Sequence, residues 1–172
     1  MSEADAVLHE DGGKSDFRFG GDPDTSFEPV SVDRRLEDQD AIELGGVTLT
    51  AHHHPGDTKG ATSFTLTVRE GGRDYRVVIA NMGSINPGVT VSGMPSYPTI
   101  GDDYARTFAA QKALPVDVFF ASHASQFGMH QKYKPGDAYD PSRFVDPQGY
   151  LTAVERLEGN YQEQLVRERG AR

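Results

Sequence analysis

The sequence predicts an acidic α/β domain, with strands in its first half and an α-β-α arrangement in its second half. Three patterns support this prediction. Short segments of alternating apolar and polar residues occupy much of residues 30–80, and two longer segments after residue 99 repeat apolar residues every three or four positions. A continuous apolar run separates those two longer segments and is typical of a buried strand.

Composition and charge narrow the class of protein. The chain has 172 residues with 26 acidic and 17 basic side chains, and its net charge is −9. This charge disfavours a nucleic-acid backbone or an anionic membrane as the main partner, because both would repel it. The absence of cysteine excludes disulfides, thiolate zinc ligands and a cysteine nucleophile. The sequence contains no run of 18 apolar residues, which is the pattern that predicts a membrane-spanning helix.

The first part of the chain predicts one helix, a long loop and one strand. Ser2 is a favourable cap, and acidic residues follow it in the first turn of a helix that Gly12 and Gly13 end. The Gly, Pro and Asp residues of Asp16–Pro29 indicate an irregular loop. The alternation in Val30–Leu36 predicts a strand.

Three further strands are predicted before the middle of the chain. The alternation in Val47–His54 predicts the first of them. Ser63–Val68 and Tyr75–Ala80 predict an apolar hairpin, because a turn containing Gly71 and Gly72 lies between them. A loop rich in Gly, Pro and Ser follows this hairpin.

The second half predicts two helices around one strand. Ile100–Leu114 carries an apolar side and ends before Pro115. The continuous apolar run Val116–Ser122 predicts a buried strand that is parallel and central. After a polar loop, Asp146 caps the last helix and Pro147 occupies its first position.

Candidate functional residues follow the predicted strands, at the carboxyl ends where ligands collect in open α/β sheets. His123 follows the buried strand, and Met82 follows the hairpin. His52–His54 end an earlier predicted strand, and Asp57 follows it after a Pro-Gly turn. Imidazoles and carboxylates can ligate zinc, but they also serve as strand-end packing and turn caps. Because no phosphate-binding glycine loop or nucleophile elbow is present, spacing alone defines a candidate cleft and no reaction.

Several segments together resemble metallo-β-lactamases of the third subclass, and the GOB-type branch in particular. The resemblance extends over nearly the whole chain with matching order and spacing. It is carried by Gly45–Thr50, the HPGDTKG segment His54–Gly60, Ser63 and Phe64, Val78–Met82, Tyr97 and Pro98, Asp103 and Tyr104, the ASHASQF segment Ala121–Phe127, Lys134–Asp137, Tyr139, and Gly149 and Tyr150.

The resemblance implies a four-layer αββα sandwich. Residues 1–172 would then be the C-terminal portion of one metallo-β-lactamase domain whose N-terminal half is incomplete. It also implies hydrolysis of the amide bond of β-lactam antibiotics, in which zinc polarises the lactam carbonyl and supplies a hydroxide nucleophile.

Site residues are carried over only where the segments match. The resemblance makes His123 a ligand of the second zinc and places Asp57 where the first zinc has a histidine. Met82 matches the methionine of the GOB-type branch. The substrate cleft is expected to be lined by Met82, Ser122, Ser125 and Gln126.

Two departures from the family pattern weaken the predicted zinc site. Asp57 could ligate zinc through oxygen at about 2.0–2.2 Å, but it is shorter than histidine and its negative charge reduces the Lewis acidity of the metal. The His/Gln-x-His-x-Asp-His motif, which supplies the other four ligands in the family, is absent from the sequence. Because a catalytic zinc usually needs three protein ligands, we expect at most weak Zn²⁺ binding and no activity from this chain alone.

Two other functions remain open at this point. The chain could be a degenerate remnant that serves as a non-catalytic binding or interaction module, or a metallo-hydrolase of another ester or amide. The implied partners are a β-lactam substrate and the missing N-terminal half. Complete members of the family are expected in the periplasm, whereas Met1–Gly13 lacks the apolar segment of a signal peptide.

Overall fold

The computed structural model describes residues 1–171 and has a mixed α/β fold with one five-stranded sheet. The helices are α1 (Glu3–Glu10), α2 (Ile100–Ala113), α3 (Met129–Lys132) and α4 (Pro147–Gly170). The strands are β1 (Ala41–Leu44), β2 (Val47–His53), β3 (Thr62–Glu70), β4 (Arg73–Ala80) and β5 (Val118–Ala121). Short 3-10 turns lie at Pro23–Thr25, Ala124–Gln126 and Pro141–Phe144.

The sheet follows chain order, β1-β2-β3-β4-β5. The first four strands form antiparallel hairpins, and β5 pairs with β4 in parallel. The parallel pairing requires a crossover, and α2 provides it. As a consequence, the carboxyl ends of β4 and β5 meet at one edge of the sheet.

Helices cover one face of this sheet. α2 and α4 pack against each other, and the buried residues of α2 repeat at helical spacing as the sequence predicts. The aromatic rings of Tyr104, Phe108 and Tyr161 lie within 6 Å of one another, measured between centroids, and join the two helices. Val78 and Phe119 reach this layer from β4 and β5 and complete the core.

The predicted strand over Val30–Leu36 is wrong. This segment forms no strand, because its backbone bonds to the amino-terminal helix region: the Val30 amide donates to the His9 carbonyl and the Leu36 amide to the Met1 carbonyl. Only Leu36 is buried, and Val30 is half exposed. The first strand lies further along, at β1, and pairs with β2 around the Gly45–Gly46 turn.

The predicted central strand is parallel, as expected, but it lies at the edge of the sheet. A central strand would have a neighbouring strand on each side. Within residues 1–171, β5 has only β4, and loops cover its apolar residues on the other side. Val118 forms an isolated bridge with Val145, and the Phe120 ring contacts the rings of Phe127 and Phe144. A continuous apolar run reports burial and does not distinguish a neighbouring strand from a packed loop.

Within residues 1–171, no helix is both long enough and apolar enough to cross a membrane.

Candidate functional site

The candidate site begins where β4 and β5 end. Asn81 and Met82 follow β4 directly, and Ser122 and His123 follow β5. The parallel register pairs Ala80 with Ala121. The next residues of both strands therefore leave the sheet side by side, as the sequence predicts for strand ends at a ligand-binding edge.

The backbone of Asn81 is held from both sides. Its amide donates to Ser63 Oγ at 2.9 Å, and its carbonyl accepts from Gln111 Nε2 at 2.6 Å. Ser63 and Gln111 are both fully buried, so these bonds lie in a low-dielectric environment and are costly to break. Strand β3 and helix α2 thereby fix the chain where it enters the candidate cleft.

Gln126 connects the two strand-end loops. Its Oε1 accepts from the His123 amide at 3.1 Å, and its Nε2 lies 3.5 Å from the Met82 carbonyl oxygen. Met82 is buried in the core, whereas His123 and its neighbours Ser122 and Ser125 are exposed and Gln126 is partly buried. The predicted cleft residues thus lie on adjacent loops, with Met82 beneath the surface.

Helix α2 positions the turn that carries Asp57. Thr107 Oγ1 donates to the Pro55 carbonyl at 2.7 Å. Gly56 has φ of 142°, and a Cβ at this position would lie 2.8 Å from the Tyr104 ring. Only glycine allows the backbone to pack this closely on that ring. The Pro55–Gly56 pair therefore holds Asp57 against the core instead of leaving it on a free loop.

Asp57 lines a 290 Å³ cavity together with Asp5, Ser122 and Asn81. Burial raises the pKa of Asp57, the neighbouring Asp5 carboxylate raises it further, and the charge of His123 opposes the rise. Ser122, the residue before His123, lines this cavity with Asp57. The two residues that the family resemblance names as zinc ligands lie in one neighbourhood.

Asp5 is a site residue that sequence reasoning missed. It lies in α1, where its carboxylate accepts from Thr58 Oγ1 at 2.9 Å and from the Gly60 amide at 3.1 Å. These bonds tie α1 to the turn that carries Asp57. No local pattern identifies this contact, because more than fifty residues separate Asp5 from Thr58 and the acidic residue also fits a first helical turn.

The three consecutive histidines have structural partners. His52 bonds Thr65 Oγ1 at 2.7 Å, His53 bonds the Leu36 carbonyl at 3.0 Å, and His54 bonds Ser63 Oγ at 2.7 Å. The rings of His52 and His54 stack on the same side of the strand, as strand alternation predicts. These contacts match the strand-end packing interpretation.

The described residues do not fit a complete zinc centre. Among residues 1–171, no group of three or more His, Asp or Glu side chains converges closely enough to hold a metal ion. Asp57 and His123 are two potential ligands, and Asp57 is a carboxylate at the position where the family resemblance places a histidine. Since a catalytic zinc usually has three protein ligands, the described residues of this neighbourhood do not supply a complete set.

A comparison with models of known protein families finds no match, but solved structures match closely. A β-lactamase from Chitinophaga pinensis is 44% identical with a TM-score of 0.91; the match covers 96% of this chain and 62% of that chain. The class B3 di-zinc metallo-β-lactamase LRA-12 from an Alaskan soil metagenome is 46% identical, with coverages of 95% and 62% and a TM-score of 0.89.

These matches define the chain as having the metallo-β-lactamase fold. A third match is the metallo-β-lactamase GOB-18 from Elizabethkingia meningoseptica, which is 44% identical, with coverages of 96% and 61% and a TM-score of 0.90. The chain is therefore similar to class B3 metallo-β-lactamases, GOB-18 among them, and corresponds to a C-terminal part of such a protein. It spans about three fifths of the length of the structures that it matches.

Proposed function

We propose that this chain is the part of a zinc-dependent β-lactam hydrolase that contributes His123 and Asp57 to the metal site, and that it does not hydrolyse β-lactams by itself. The observation that carries the proposal is the meeting of the β4 and β5 ends beside Asp57, where Asn81 and Ser122 share a cavity with Asp57. The chain that forms this neighbourhood is 44% identical in sequence to the β-lactamase from Chitinophaga pinensis and 46% identical to the class B3 enzyme LRA-12.

The residues of this chain would prepare the site in two ways. Ser63, Gln111 and Gln126 hold the strand-end loops, so that His123 projects from a fixed backbone. The Pro55–Gly56 turn presents Asp57 to the cavity that Asn81 and Ser122 also line. A preorganised backbone reduces the cost of orienting ligands when a metal binds.

β-Lactams are the proposed substrates because the matched proteins are named β-lactamases. For the complete protein we propose the periplasm, as the family resemblance implies. Asp57 supports one competing function, a non-catalytic descendant of the fold. A carboxylate is a shorter ligand than the imidazole expected at this position, and its negative charge lowers the Lewis acidity of a bound metal.

Hydrolysis of a chromogenic cephalosporin tests the proposal. The purified chain should show no zinc-dependent turnover. A chimera that joins the part of GOB-18 preceding the matched region to this chain supplies the missing length. In that chimera, Asp57→His should raise bound zinc and hydrolysis together, and a further His123→Ala change should abolish both.

A matched control is His130→Ala, which changes an exposed histidine on α3 and should leave the activity of the chimera unchanged. A folded chimera whose zinc content and turnover do not respond to Asp57→His would contradict the assignment of that position. Zinc-dependent turnover by the chain alone would contradict the claim that it is incomplete.

A further inference from the structure

A cavity of 310 Å³ lies between α4 and the loop that follows β4, and we call it the α4 pocket. Its volume is at the lower end of the range for pockets that hold small molecules. Gly83, Ser84 and Ile85 form the loop side, and α4 forms the other side. None of the residues that line this pocket also lines the Asp57 cavity, so the proposed metal site does not account for it.

The helical wall of the α4 pocket is a single face of α4. At 3.6 residues per turn, the six helical residues that line the pocket fall within an arc of about 120° around the helix. They are Arg156, Leu157, Asn160, Glu163, Gln164 and Arg167. This face is polar except for Leu157, and it carries two arginines.

Both arginines have donors to spare. Arg156 forms no ion pair, hydrogen bond or aromatic contact among residues 1–171. Arg167 lies 3.9 Å from Glu163, and their side chains are 68% and 75% exposed, so this ion pair contributes little to stability. Because each guanidinium group carries five N–H donors, the pocket has two positively charged groups that the fold does not use.

The acidic excess of the chain lies elsewhere in the sequence. Residues 44–172 contain 13 acidic and 13 basic side chains, so the net charge of −9 belongs to residues 1–43. α4 is therefore not part of the acidic segment, and an anion that approaches the pocket meets a balanced part of the chain.

The spacing of the arginines indicates a ligand with two acidic ends. Arg167 follows Arg156 by eleven positions, which places their backbones about 16 Å apart along the helix. Ile85 and Leu157 line the same pocket and pack partly buried against the core, so they offer apolar contact. A ligand that satisfies these groups has an anionic group at each end and an apolar middle.

We propose that the α4 pocket binds a linear organic dianion, with one acidic group on Arg156 and the other on Arg167. Carboxylate and phosphate-type ends share this chemistry, because a guanidinium group binds either of them through two parallel hydrogen bonds. Glu163 opposes binding through its negative charge beside Arg167. This binding requires neither zinc nor hydrolysis, so it stands apart from the proposed function.

Titration of the isotope-labelled chain with linear dicarboxylates tests the proposal by nuclear magnetic resonance. The backbone amide shifts of Ser84 and Ile85 report binding in the pocket, and low ionic strength limits the screening of exposed charges. Sebacate should bind about tenfold more tightly than succinate, which is too short to reach both arginines, and about fivefold more tightly than decanoate, which has one acidic end. Octane-1,8-bisphosphonate, with the same eight methylenes as sebacate, shows which kind of acidic end binds more tightly.

Substitutions on α4 assign the binding to the pocket. Arg156→Gln and Arg167→Gln should each weaken sebacate binding about fivefold, because each removes one charged contact. Glu163→Gln should strengthen it about twofold, because it removes the opposing charge. Arg169→Gln is the matched control: Arg169 is exposed on the same helix but does not line the pocket, and its loss should change the affinity less than about twofold.

Three results would overturn the proposal. The first is the absence of saturable shifts at Ser84 and Ile85, or equal affinities for sebacate, succinate and decanoate. The second is an equal loss in Arg156→Gln and Arg169→Gln, which would indicate general attraction to a charged helix. The third is a set of shifts confined to Ile79 and Val68, which are 44% and 42% exposed and would indicate adsorption to the sheet.

Discussion

Acidification below pH 6.5 should destabilise this protein through the buried imidazole of His54. His54 is 2% exposed and bonds Ser63 Oγ at 2.7 Å. Burial is the largest cause that lowers its pKa to about 4; the nearby His52 contributes in the same direction, while Asp38 acts in the opposite direction. In the unfolded chain, the imidazole has its ordinary pKa of about 6.5.

The sign and size of the effect follow from these two pKa values. Above pH 6.5 the imidazole is neutral in both states, and His54 contributes no pH dependence. As the pH falls below 6.5, the unfolded chain binds a proton that the folded chain excludes, so stability declines until the folded pKa near 4 is reached. The full loss is about 3 kcal/mol, of which about 2 kcal/mol has accrued at pH 5.

Urea unfolding at pH 7.5 and pH 5.0 measures this loss. The wild-type chain should lose about 2 kcal/mol more between the two pH values than His54→Gln does. His130→Gln, which changes an exposed side chain, should retain the wild-type difference. The reasoning is refuted if wild type and His54→Gln lose the same free energy of unfolding.

Three further predictions concern stability at neutral pH. Gly60→Ala should lower the free energy of unfolding by about 2 kcal/mol, because its Cβ would overlap Ser2 Oγ; Gly159→Ala should raise it by about 0.5–1 kcal/mol, because Gly159 lies in open space inside α4. Asp117→Asn should lower it by about 1 kcal/mol, because the carboxylate accepts from the Arg76 amide and guanidinium, which also hold its pKa well below its usual range. Urea unfolding measures all three.

Controls exist for these predictions. Asp74→Asn removes an ion pair with Arg69 in which both side chains are more than half exposed, and it should change stability by less than about 0.5 kcal/mol. An equal effect of Asp74→Asn and Asp117→Asn would contradict the role given to Asp117. A neutral Gly60→Ala would show that α1 does not pack tightly on the β2–β3 turn.

Local sequence signals predicted most of the elements. Ser2 caps α1, Asp146 caps α4 and its carboxylate accepts from the Gly149 amide at 2.8 Å, as their residue types indicate. The β3–β4 hairpin forms around Gly71 and Gly72, whose positive φ angles of 57° and 82° suit glycine. These features depend on neighbours within four residues, so a sequence displays them directly.

Features set by distant contacts were missed or wrong. Val30–Leu36 alternates like a strand, but its backbone forms hydrogen bonds with His9 and Met1 at the amino-terminal helix and does not join the sheet. β5 has the apolar run of a central strand, but the segment around Phe144 covers it at the edge. Asp5 joins Asp57 only through the folded turn. The assignment of Met82, Ser122, Ser125 and Gln126 to a substrate cleft stays a prediction, since their positions are known and a substrate contact is not.

The central claim is that this chain carries only part of a metal site. Zinc content after equilibrium dialysis of the purified chain, measured by elemental mass spectrometry, tests it most directly. The described residues hold no group of three converging ligands, so the expected result is well below one zinc per chain and no change in His123→Ala. One tightly held zinc per chain that is lost in His123→Ala would contradict the account.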